Sequence, residues 1–405
     1  MLGYALLQVA LDWLIYMASG RNFPKSNTNN TIDRVNYDAL DKAKLAFIAA
    51  SKKTLDFAQG FGFVPKEQLG ASANLFSLNL KPYLKQANND LYVSLIAEGL
   101  GTADDARPDD LSQSELKQFW HNIGIKTISA LTNDAASAGL QTILISLYLP
   151  TSSPEKIFNT SFLDGFTAGL ISGCQTVGCV WISGETPQLK GKIYEDKLDI
   201  AGSLFALTPP GIAPIDGSKL SAGNKIVLVA SSGPHENGFT TLRALAATLP
   251  NGYRSKLPDG QEFWQAINAP SKLYTPLVQA LLAANIEICS LENITGHGWL
   301  KLMRSKKNLC YHIKHTLSVP AVFSFVQEKA SMSKEEMLKT FNYGAGFAIF
   351  LADDINAKQT VAIAKKLGYE AIEAGEVIQS TSNRKLVVEP FNVEITDEKF
   401  LLKKS

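Results

Sequence analysis

Short apolar runs alternate with helical patterns along most of this chain, and this alternation is the feature that most constrains its fold. Short runs of β-branched and aliphatic residues are typical of strands, whereas helical segments repeat apolar residues every three or four positions. Interleaving of the two patterns predicts a mixed α/β fold of the α+β class rather than a helical bundle or a β-sandwich.

The pattern assigns most of the chain to individual elements. The predicted strands cover residues 91–97, 142–149, 179–183, 198–207, 225–230, 286–291, 311–317, 346–351 and 371–378. The predicted helices cover residues 38–58, 117–138, 238–248, 274–285 and 357–367. A further helix is predicted to begin at Ser153 and Pro154 and to carry Phe158, Phe162, Phe166 and Leu170 on one face.

Chain length and a cluster of prolines predict two domains. The chain has 405 residues, more than one ordinary domain of about 100–200 residues. Pro209, Pro210, Gly211 and Pro214 interrupt the alternating pattern, as expected of a connection between domains. We therefore expect a leader helix and linker at residues 1–30, an N-terminal domain at 31–209 and a C-terminal domain at 210–405.

Charge and cysteine content exclude several classes of partner. Lysine and arginine number 39 against 38 aspartates and glutamates, so the formal net charge is +1. No basic footprint for nucleic acid or an anionic membrane is therefore expected. Four cysteines in this length do not make a disulfide framework, which indicates a cytoplasmic protein.

The N-terminal segment allows more than one interpretation. Residues 1–19 carry a single charged side chain, Asp12. Gln8 and Asp12 lie four residues apart, and therefore on one helical face, within a stretch barely long enough to span a membrane. No basic residue precedes Arg21, so the positive start of a signal peptide is missing. A packed or dimer-contacting helix is favoured over a membrane-associated segment or a misassigned start.

The stretch S-S-G-P-H-E-N-G at residues 231–238 joins a predicted strand to a predicted helix. Small residues and glycines at such a junction let backbone N–H groups approach an anion, and the helix start adds partial positive charge. His235 is of a residue type that donates to a phosphate or gives a proton to a leaving group. The alternative is an ordinary turn with a capping Asn or Ser.

Three acidic residues lie near the ends of predicted elements. Glu98 follows a strand in E-G-L-G-T, Asp134 ends a helix in N-D, and Glu185 follows another strand in G-E-T-P. Carboxylates that leave several strands at their carboxyl ends can converge on Mg²⁺ ions that hold a nucleotide's phosphates. Each residue taken singly is also explained as a cap or turn residue.

Two further stretches stay open. Cys310, His312 and His315 are of types that bind zinc, but His315 points away from the other two in a strand, so a structural role is favoured. The stretch N-I-T-G-H-G-W at residues 293–299 opens a predicted helix. It is either a second anion or ligand loop or an ordinary glycine-rich helix start.

Six motifs occur in an order that resembles one enzyme family. They are E-G-L-G-T at 98–102, N-D at 133–134, G-E-T-P at 184–187, S-S-G-P-H-E-N-G-F at 231–239, I-T-G-H-G at 294–298 and F-N-Y-G-A-G at 341–346. The series resembles the phosphoribosylformylglycinamidine cyclo-ligases, also called aminoimidazole ribonucleotide synthetases, from about residue 33 to 394. E-G-L-G-T in place of the usual D-G-V-G-T is similar to a paralogous branch.

The resemblance implies an architecture and a reaction. An N-terminal domain would contribute strands to a barrel that spans a homodimer, and the C-terminal domain would be ferredoxin-like. ATP and Mg²⁺ would bind between the domains, near the dimer interface. ATP would phosphorylate the amide oxygen of formylglycinamidine ribonucleotide, a small phosphorylated substrate of purine biosynthesis. The neighbouring nitrogen would then attack, and the imidazole ring would close as phosphate leaves.

The resemblance also assigns roles to residues. Glu98, Asp134 and Glu185 would be the metal and nucleotide carboxylates, and His235 and Asp134 the catalytic groups. Nucleotide binding would involve Glu98, Gly99, Gly101, Thr102, Asn133, Gly184 and Thr186. The phosphate or substrate loop would involve Ser232, Gly233, Asn237 and Gly238.

Three departures distinguish this chain from that family. Ala103 stands where the family usually has a lysine, Gln188 stands at a usually acidic position, and the glycine-rich N-terminal loop is reduced to residues 70–76. A related enzyme acting on another substrate, such as one similar to thiamine-monophosphate kinase, and a non-catalytic ligand-binding member are therefore the alternatives. The cysteines near the N-terminus or at the C-terminal tail that characterise other branches of the superfamily are not found here.

Overall fold

The computed structural model describes residues 35–65, 74–83, 90–381 and 383–396. The leader predicted at residues 1–30 and most of the reduced loop at 70–76 lie outside the described residues. The helices are α1 Tyr37–Lys52, α2 Gln113–Ala136, α3 Pro154–Ile157, α4 Thr160–Val177, α5 Phe239–Thr248, α6 Phe263–Ile267, α7 Thr275–Ala283, α8 Ala321–Lys329, α9 Lys334–Thr340 and α10 Asp354–Lys366.

Thirteen strands are seen in the described residues. They are β1 Phe63–Pro65, β2 Phe76–Leu78, β3 Val93–Gly99, β4 Gln141–Tyr148, β5 Val180–Glu185, β6 Ala201–Leu207, β7 Lys225–Ala230, β8 Ile288–Asn293, β9 Leu309–Ile313, β10 Ala345–Leu351, β11 Ala371–Gln379, β12 Lys385–Val388 and β13 Val393–Thr396. Short 3₁₀ helices include Ala103–Asp105 and Gly298–Met303. The mixed α/β fold predicted from the alternating pattern is confirmed.

The strands before residue 210 form a four-stranded sheet in the order β3-β6-β4-β5. β4 and β5 are parallel, and β6 runs antiparallel to both β3 and β4. Helix α2 packs on one face of this sheet, where Leu131 lies beside Gly202 of β6. On the other face, Phe63 and Tyr83 cover one end, and Leu95 and Tyr148 are exposed farther along.

Helix α2, predicted over residues 117–138, begins four residues earlier, at Gln113, because Ser112 caps it. The Ser112 hydroxyl accepts from the backbone N–H of Glu115, and the Glu115 carboxylate accepts from the backbone N–H of Ser112. This capping box satisfies two of the donors that a helix start leaves open. The helix runs for 24 residues, and its last turn carries Asp134 to the sheet edge.

The helix predicted to begin at Ser153 is two helices. Asn159 accepts from the backbone N–H of Phe162 at 3.0 Å and so caps a new helix two residues after α3 ends. Asparagine favours a cap over a helix interior because its side chain bonds the backbone locally. The apolar stripe is confirmed, since Phe158, Phe162, Phe166 and Leu170 are all buried.

The strands after residue 210 form a seven-stranded sheet in the order β13-β12-β9-β11-β7-β10-β8. All neighbouring pairs are antiparallel except β12 and β9. The strand predicted at 311–317 is shorter and ends at Ile313. The helix predicted to open in the stretch 293–299 is the six-residue 3₁₀ helix Gly298–Met303. Within the described residues, no helix is long and apolar enough to cross a membrane.

Helices α2 and α4 touch backbone to backbone. A Cβ atom added to Gly169 would lie 2.0 Å from the His121 carbonyl oxygen and 3.0 Å from the Gly124 Cα. Gly165 has the same constraint, with 2.3 Å to the Lys117 carbonyl oxygen. Since backbone atoms cannot rotate out of the way as a side chain can, only glycine fits at these crossings.

Gly169→Ala should therefore destabilise the protein by about 1–3 kcal/mol, the cost of overpacking a tight contact. We expect the midpoint of thermal unfolding to fall by about 3 °C or more. Gly60→Ala is the control, because no atom lies within 4 Å of its added Cβ. Equal midpoints for the two variants would contradict the close helix contact.

Candidate functional site

A pair of carboxyl groups lies where β3 meets the last turn of α2. Glu98 belongs to β3 and Asp134 belongs to α2, and the two carboxyl groups lie close enough for the charge of Asp134 to act on Glu98. Asn293, at the end of β8, donates from Nδ2 to the Asp134 Oδ1 at 2.8 Å. Desolvation and the neighbouring Asp134 charge raise the pKa of Glu98. The predicted meeting of Glu98 and Asp134 is therefore found in the structure.

Cations and a third carboxyl group surround this pair. Lys301, on the 3₁₀ helix Gly298–Met303, donates to the Thr295 hydroxyl. Its ammonium charge also interacts with the carboxylates of Glu98, Asp134 and Glu292. Burial raises the pKa of Glu292 to about 7, although Arg304 Nη1 lies 3.7 Å from its carboxylate. We call Glu98, Asp134, Glu292, Asn293 and Lys301 the carboxylate cluster.

Glu185 does not join this cluster within one chain. Glu98 aligns across the sheet with Gly202, Leu147 and Gly184, and this row faces α2. Glu185 is the next residue and faces the opposite side, because successive strand residues alternate between faces. Glu98 and Glu185 are also on opposite edge strands, about 14 Å apart at three strand spacings. The predicted convergence of all three carboxylates is thus wrong for a single chain.

The described residues contain no group of three or more His, Cys, Asp or Glu side chains placed to hold a metal. They do contain two carboxyl groups and one amide oxygen that suit Mg²⁺. Asn293 is 3% exposed, and its Oδ1 has no hydrogen-bond partner among the described residues. Mg²⁺ prefers oxygen ligands and is commonly bound by one or two carboxylates together with substrate phosphates. Glu98, Asp134 and Asn293 therefore fit this ion.

Glu185 instead lines a separate cleft of about 740 Å³ on the open face of the four-stranded sheet. Gly184 and Thr186 line the same cleft, together with Ser146 and Ser183, whose hydroxyls hydrogen-bond at 2.9 Å. Thr186 is 5% exposed, and its hydroxyl has no partner in the part of the chain that the structure describes. Of the predicted nucleotide-binding residues, Glu98 thus belongs to the carboxylate cluster, whereas Gly184 and Thr186 line this cleft.

The loop after β3 forms a tight turn beside the cluster. Gly101 has a φ of +65°, a conformation that favours glycine. Gly99 ends β3, and Thr102 precedes the 3₁₀ helix Ala103–Asp105. Ala103 is fully buried. This turn carries no cationic side chain to the cluster.

His235 lies at the centre of the 231–238 loop, and its ring accepts hydrogen bonds from the loop backbone. Its ring is 2% exposed, and Nε2 accepts from the backbone N–H groups of Ser232 at 3.2 Å and Lys272 at 3.4 Å. Burial, with the charges of Lys126 and Lys272, lowers the pKa of His235 to about 3, so the ring is neutral. His235 therefore holds the loop in shape through Nε2, and its predicted catalytic role stays a prediction.

Other residues of the loop are placed by close contacts. Gly238 has a φ of +78°, and an added Cβ would lie 2.2 Å from the Phe341 ring. Gly233 has a φ of +140°. The Ser232 hydroxyl donates to the Pro270 carbonyl at 2.6 Å. Asn237 reaches the next loop, where its Oδ1 lies 3.4 Å from a Cβ built on Gly296.

Asn133 has a structural role in place of the predicted nucleotide contact. Its side chain is 1% exposed, donates to the Lys272 carbonyl and accepts from the Tyr274 backbone N–H, both at 2.8 Å. Sequence reasoning missed Lys126, which is fully buried on α2 and donates to the His235 carbonyl. Burial lowers the pKa of Lys126 to about 8, against the opposing charge of Glu236.

Lys301 and Glu292 were also missed. The motif around residues 293–299 was a signal for them, because they flank it on either side. The approach of Lys301 and Glu292 to Glu98 depends on the packing of the seven-stranded sheet against the four-stranded sheet. A local sequence pattern does not predict this packing.

Solved structures share this fold. E. coli HypE, a hydrogenase maturation protein, superposes with a TM-score of 0.58 at 18% identity over 89% of this chain and 97% of its own. Thiamine-monophosphate kinase from Stenotrophomonas maltophilia gives 0.57 at 15% identity, over 87% and 97% of the two chains. A HypE structure in complex with ATP gives 0.57 at 13% identity, over 92% and 97%.

Sequence comparison gives a more specific result. Phosphoribosylformylglycinamidine cyclo-ligase of Gloeothece citriformis is 26% identical over 268 residues, which is 65% of this chain and 77% of that protein. The same-named protein of Parasynechococcus marenigrum is 28% identical over 289 residues, covering 70% and 80%. Residues 110–208 match the family model described as AIR synthase related protein, N-terminal domain, and residues 221–387 match its C-terminal counterpart. The chain therefore belongs to the AIR synthase related protein family, as a divergent member.

Proposed function

We propose that the chain is an ATP- and Mg²⁺-dependent enzyme of the cyclo-ligase type, acting on formylglycinamidine ribonucleotide. The observation that supports this most is the approach of Glu98, Asp134 and the unpartnered Asn293 Oδ1 beside the 231–238 and 294–298 loops. These groups offer hard oxygen ligands next to a loop rich in backbone donors. Such an arrangement suits transfer of a phosphoryl group from a nucleotide to a small acceptor.

The proposed chemistry needs positioning more than a covalent nucleophile. Glu98, Asp134 and Asn293 would hold Mg²⁺, which when bound neutralises phosphate charge. The 231–238 loop would orient the substrate's amide oxygen toward the terminal phosphorus of ATP. Transfer of the phosphoryl group makes that oxygen a leaving group, and attack by the neighbouring nitrogen closes the ring and releases phosphate. His235 would keep the loop in shape.

We propose further that the enzyme works as a homodimer. Glu185 lies on the opposite face of the sheet from Glu98, and Thr186 lines the same cleft as Glu185. The cleft and the carboxylate cluster can therefore bind one nucleotide only if they come from two different chains. The open face carries Leu95 at 81% exposure and Tyr148 at 44%, an apolar surface that a second copy would cover. A barrel that spans the dimer and a ferredoxin-like C-terminal domain belong to the same proposal.

Release of inorganic phosphate tests the activity directly. With Mg²⁺ and ATP, release should depend on added formylglycinamidine ribonucleotide. Release that requires thiamine monophosphate instead would favour a kinase-like relative of this fold. ATP binding without turnover on either acceptor would contradict the proposed enzyme and favour a ligand-binding protein.

Asp134→Asn should weaken Mg²⁺-dependent ATP binding by about tenfold or more, because it removes a charged oxygen ligand. The amide keeps the oxygen that accepts from Asn293, so the fold should be preserved. Calorimetric titration measures the change. Asp164→Asn is the matched control, since Asp164 is exposed and pairs only with Lys117 at 3.2 Å in the described structure. An unchanged affinity for Asp134→Asn would place the nucleotide elsewhere.

Mixing two inactive variants tests whether the site is shared. Asp134→Asn and Glu185→Gln should each abolish turnover when assayed singly. In an equal mixture that exchanges subunits, half of the dimers are mixed, and each mixed dimer has one intact shared site. Activity should therefore recover to about a quarter of the unmodified level. If both residues served a site within one chain, no activity would return.

A further inference from the structure

A triphosphate near the carboxylate cluster requires a cation that the predicted motifs do not contain. The stretches 98–103 and 231–238 include no lysine or arginine. Phosphate oxygens bind strongly to ammonium or guanidinium groups, whose charge-assisted hydrogen bonds are about twice as strong as neutral ones. The source of the cation must therefore lie outside these two stretches.

Lys301 has the placement that the cation requires. It lies on the 3₁₀ helix Gly298–Met303, and its charge interacts with Asp134, Glu292 and Glu98. The same segment begins next to Gly296, which contacts Asn237 of the 231–238 loop. Lys301 thus belongs to the element that joins the carboxylate cluster to the loop proposed to hold the substrate.

The contacts of Lys301 are fewer than a structural ion pair would show. Within the described residues, no carboxylate oxygen lies within 4.0 Å of its Nζ, and its only hydrogen bond is to the Thr295 hydroxyl. An ammonium group has three donors. The Lys301 side chain is itself only partly exposed. The cation is thus desolvated but incompletely paired.

The second sign of a missing ligand is the Asn293 Oδ1. It has no partner among the described residues, although Asn293 is 3% exposed. A buried acceptor without a partner is costly. A metal-bound anion would give partners to both groups, since Asn293 would hold the metal and Lys301 would donate to the anion.

We propose that Lys301 contacts the terminal phosphate of the bound nucleotide and holds it between the carboxylate cluster and the 231–238 loop. This rests on the proposed ATP-dependent function. Its role is to bind and position the phosphate, with Arg304 three residues farther along supporting the same charge.

Lys272 is the competing source of the cation. Its charge contributes to the low pKa of His235, and its backbone N–H donates to the His235 ring. It therefore lies beside the 231–238 loop, whereas the cluster carboxylates act on Lys301. If Lys301 binds the phosphate, Lys301→Ala should lose nucleotide affinity. If Lys272 binds it, Lys272→Ala should lose affinity instead.

The experiment measures ATP and adenosine binding to the full chain by calorimetry in the presence of Mg²⁺. Lys301→Ala should weaken ATP binding by about 10- to 100-fold, the loss of one charge-assisted contact. Adenosine binding should be unchanged, and Lys301→Arg should retain most of the ATP affinity. Lys306→Ala is the matched control, because Lys306 is exposed and only five residues away.

The outcomes separate this proposal from the one it rests on. ATP binding to Lys301→Ala within twofold of the unmodified chain would overturn the role of Lys301 alone, and a loss in Lys272→Ala would then identify Lys272. Equal losses for ATP and adenosine, or a lower unfolding midpoint without a loss of ATP affinity, would show a structural role and overturn it as well. If Lys301→Ala does not fold, Lys301→Gln is titrated in its place. Failure of the unmodified chain to bind ATP would overturn both proposals.

Discussion

The buried polar contacts of helix α2 hold the candidate site together. Lys126 donates to the carbonyl of His235, and Asn133 forms hydrogen bonds with the backbone of residues 272 and 274. These partners all belong to the second half of the chain. Both side chains are buried, so loss of either contact would leave a buried polar group without a hydrogen-bond partner. Because Asp134 follows Asn133 on the same helix, these contacts also set the distance between the carboxylate cluster and the 231–238 loop.

Electrostatics in the cluster favour the arrival of cations. Burial and repulsion from Asp134 favour the protonated forms of Glu98 and Glu292, while burial disfavours the charged form of Lys301. A divalent cation at the carboxylates and a phosphate at the ammonium would each reverse these effects. Metal and nucleotide are therefore expected to bind more strongly together than either binds alone.

Local patterns predicted the elements well and the site only in part. The strand at residues 225–230 and the apolar stripe from Phe158 to Leu170 follow from spacing and side-chain chemistry. The helix break at Asn159 was missed because an apolar stripe continues across it. The sequence shows the residue type of His235 but not its burial, and burial is the main cause of its low pKa.

The sequence by itself determined the mixed α/β fold, the order of the motifs and the presence of Glu98, Asp134 and Glu185 near the ends of strands and helices. Only the tertiary structure decided which of them meet. Glu98 and Glu185 both lie near the end of a strand. Glu98 aligns across the sheet with Gly184 and not with Glu185, so the two glutamates face opposite sides of the sheet. Asn293 and Lys301, which also belong to the cluster, lie more than 150 positions after Asp134 in the sequence. Alternation along a strand is local, but register across a sheet and contact between sheets depend on the packing of the whole chain.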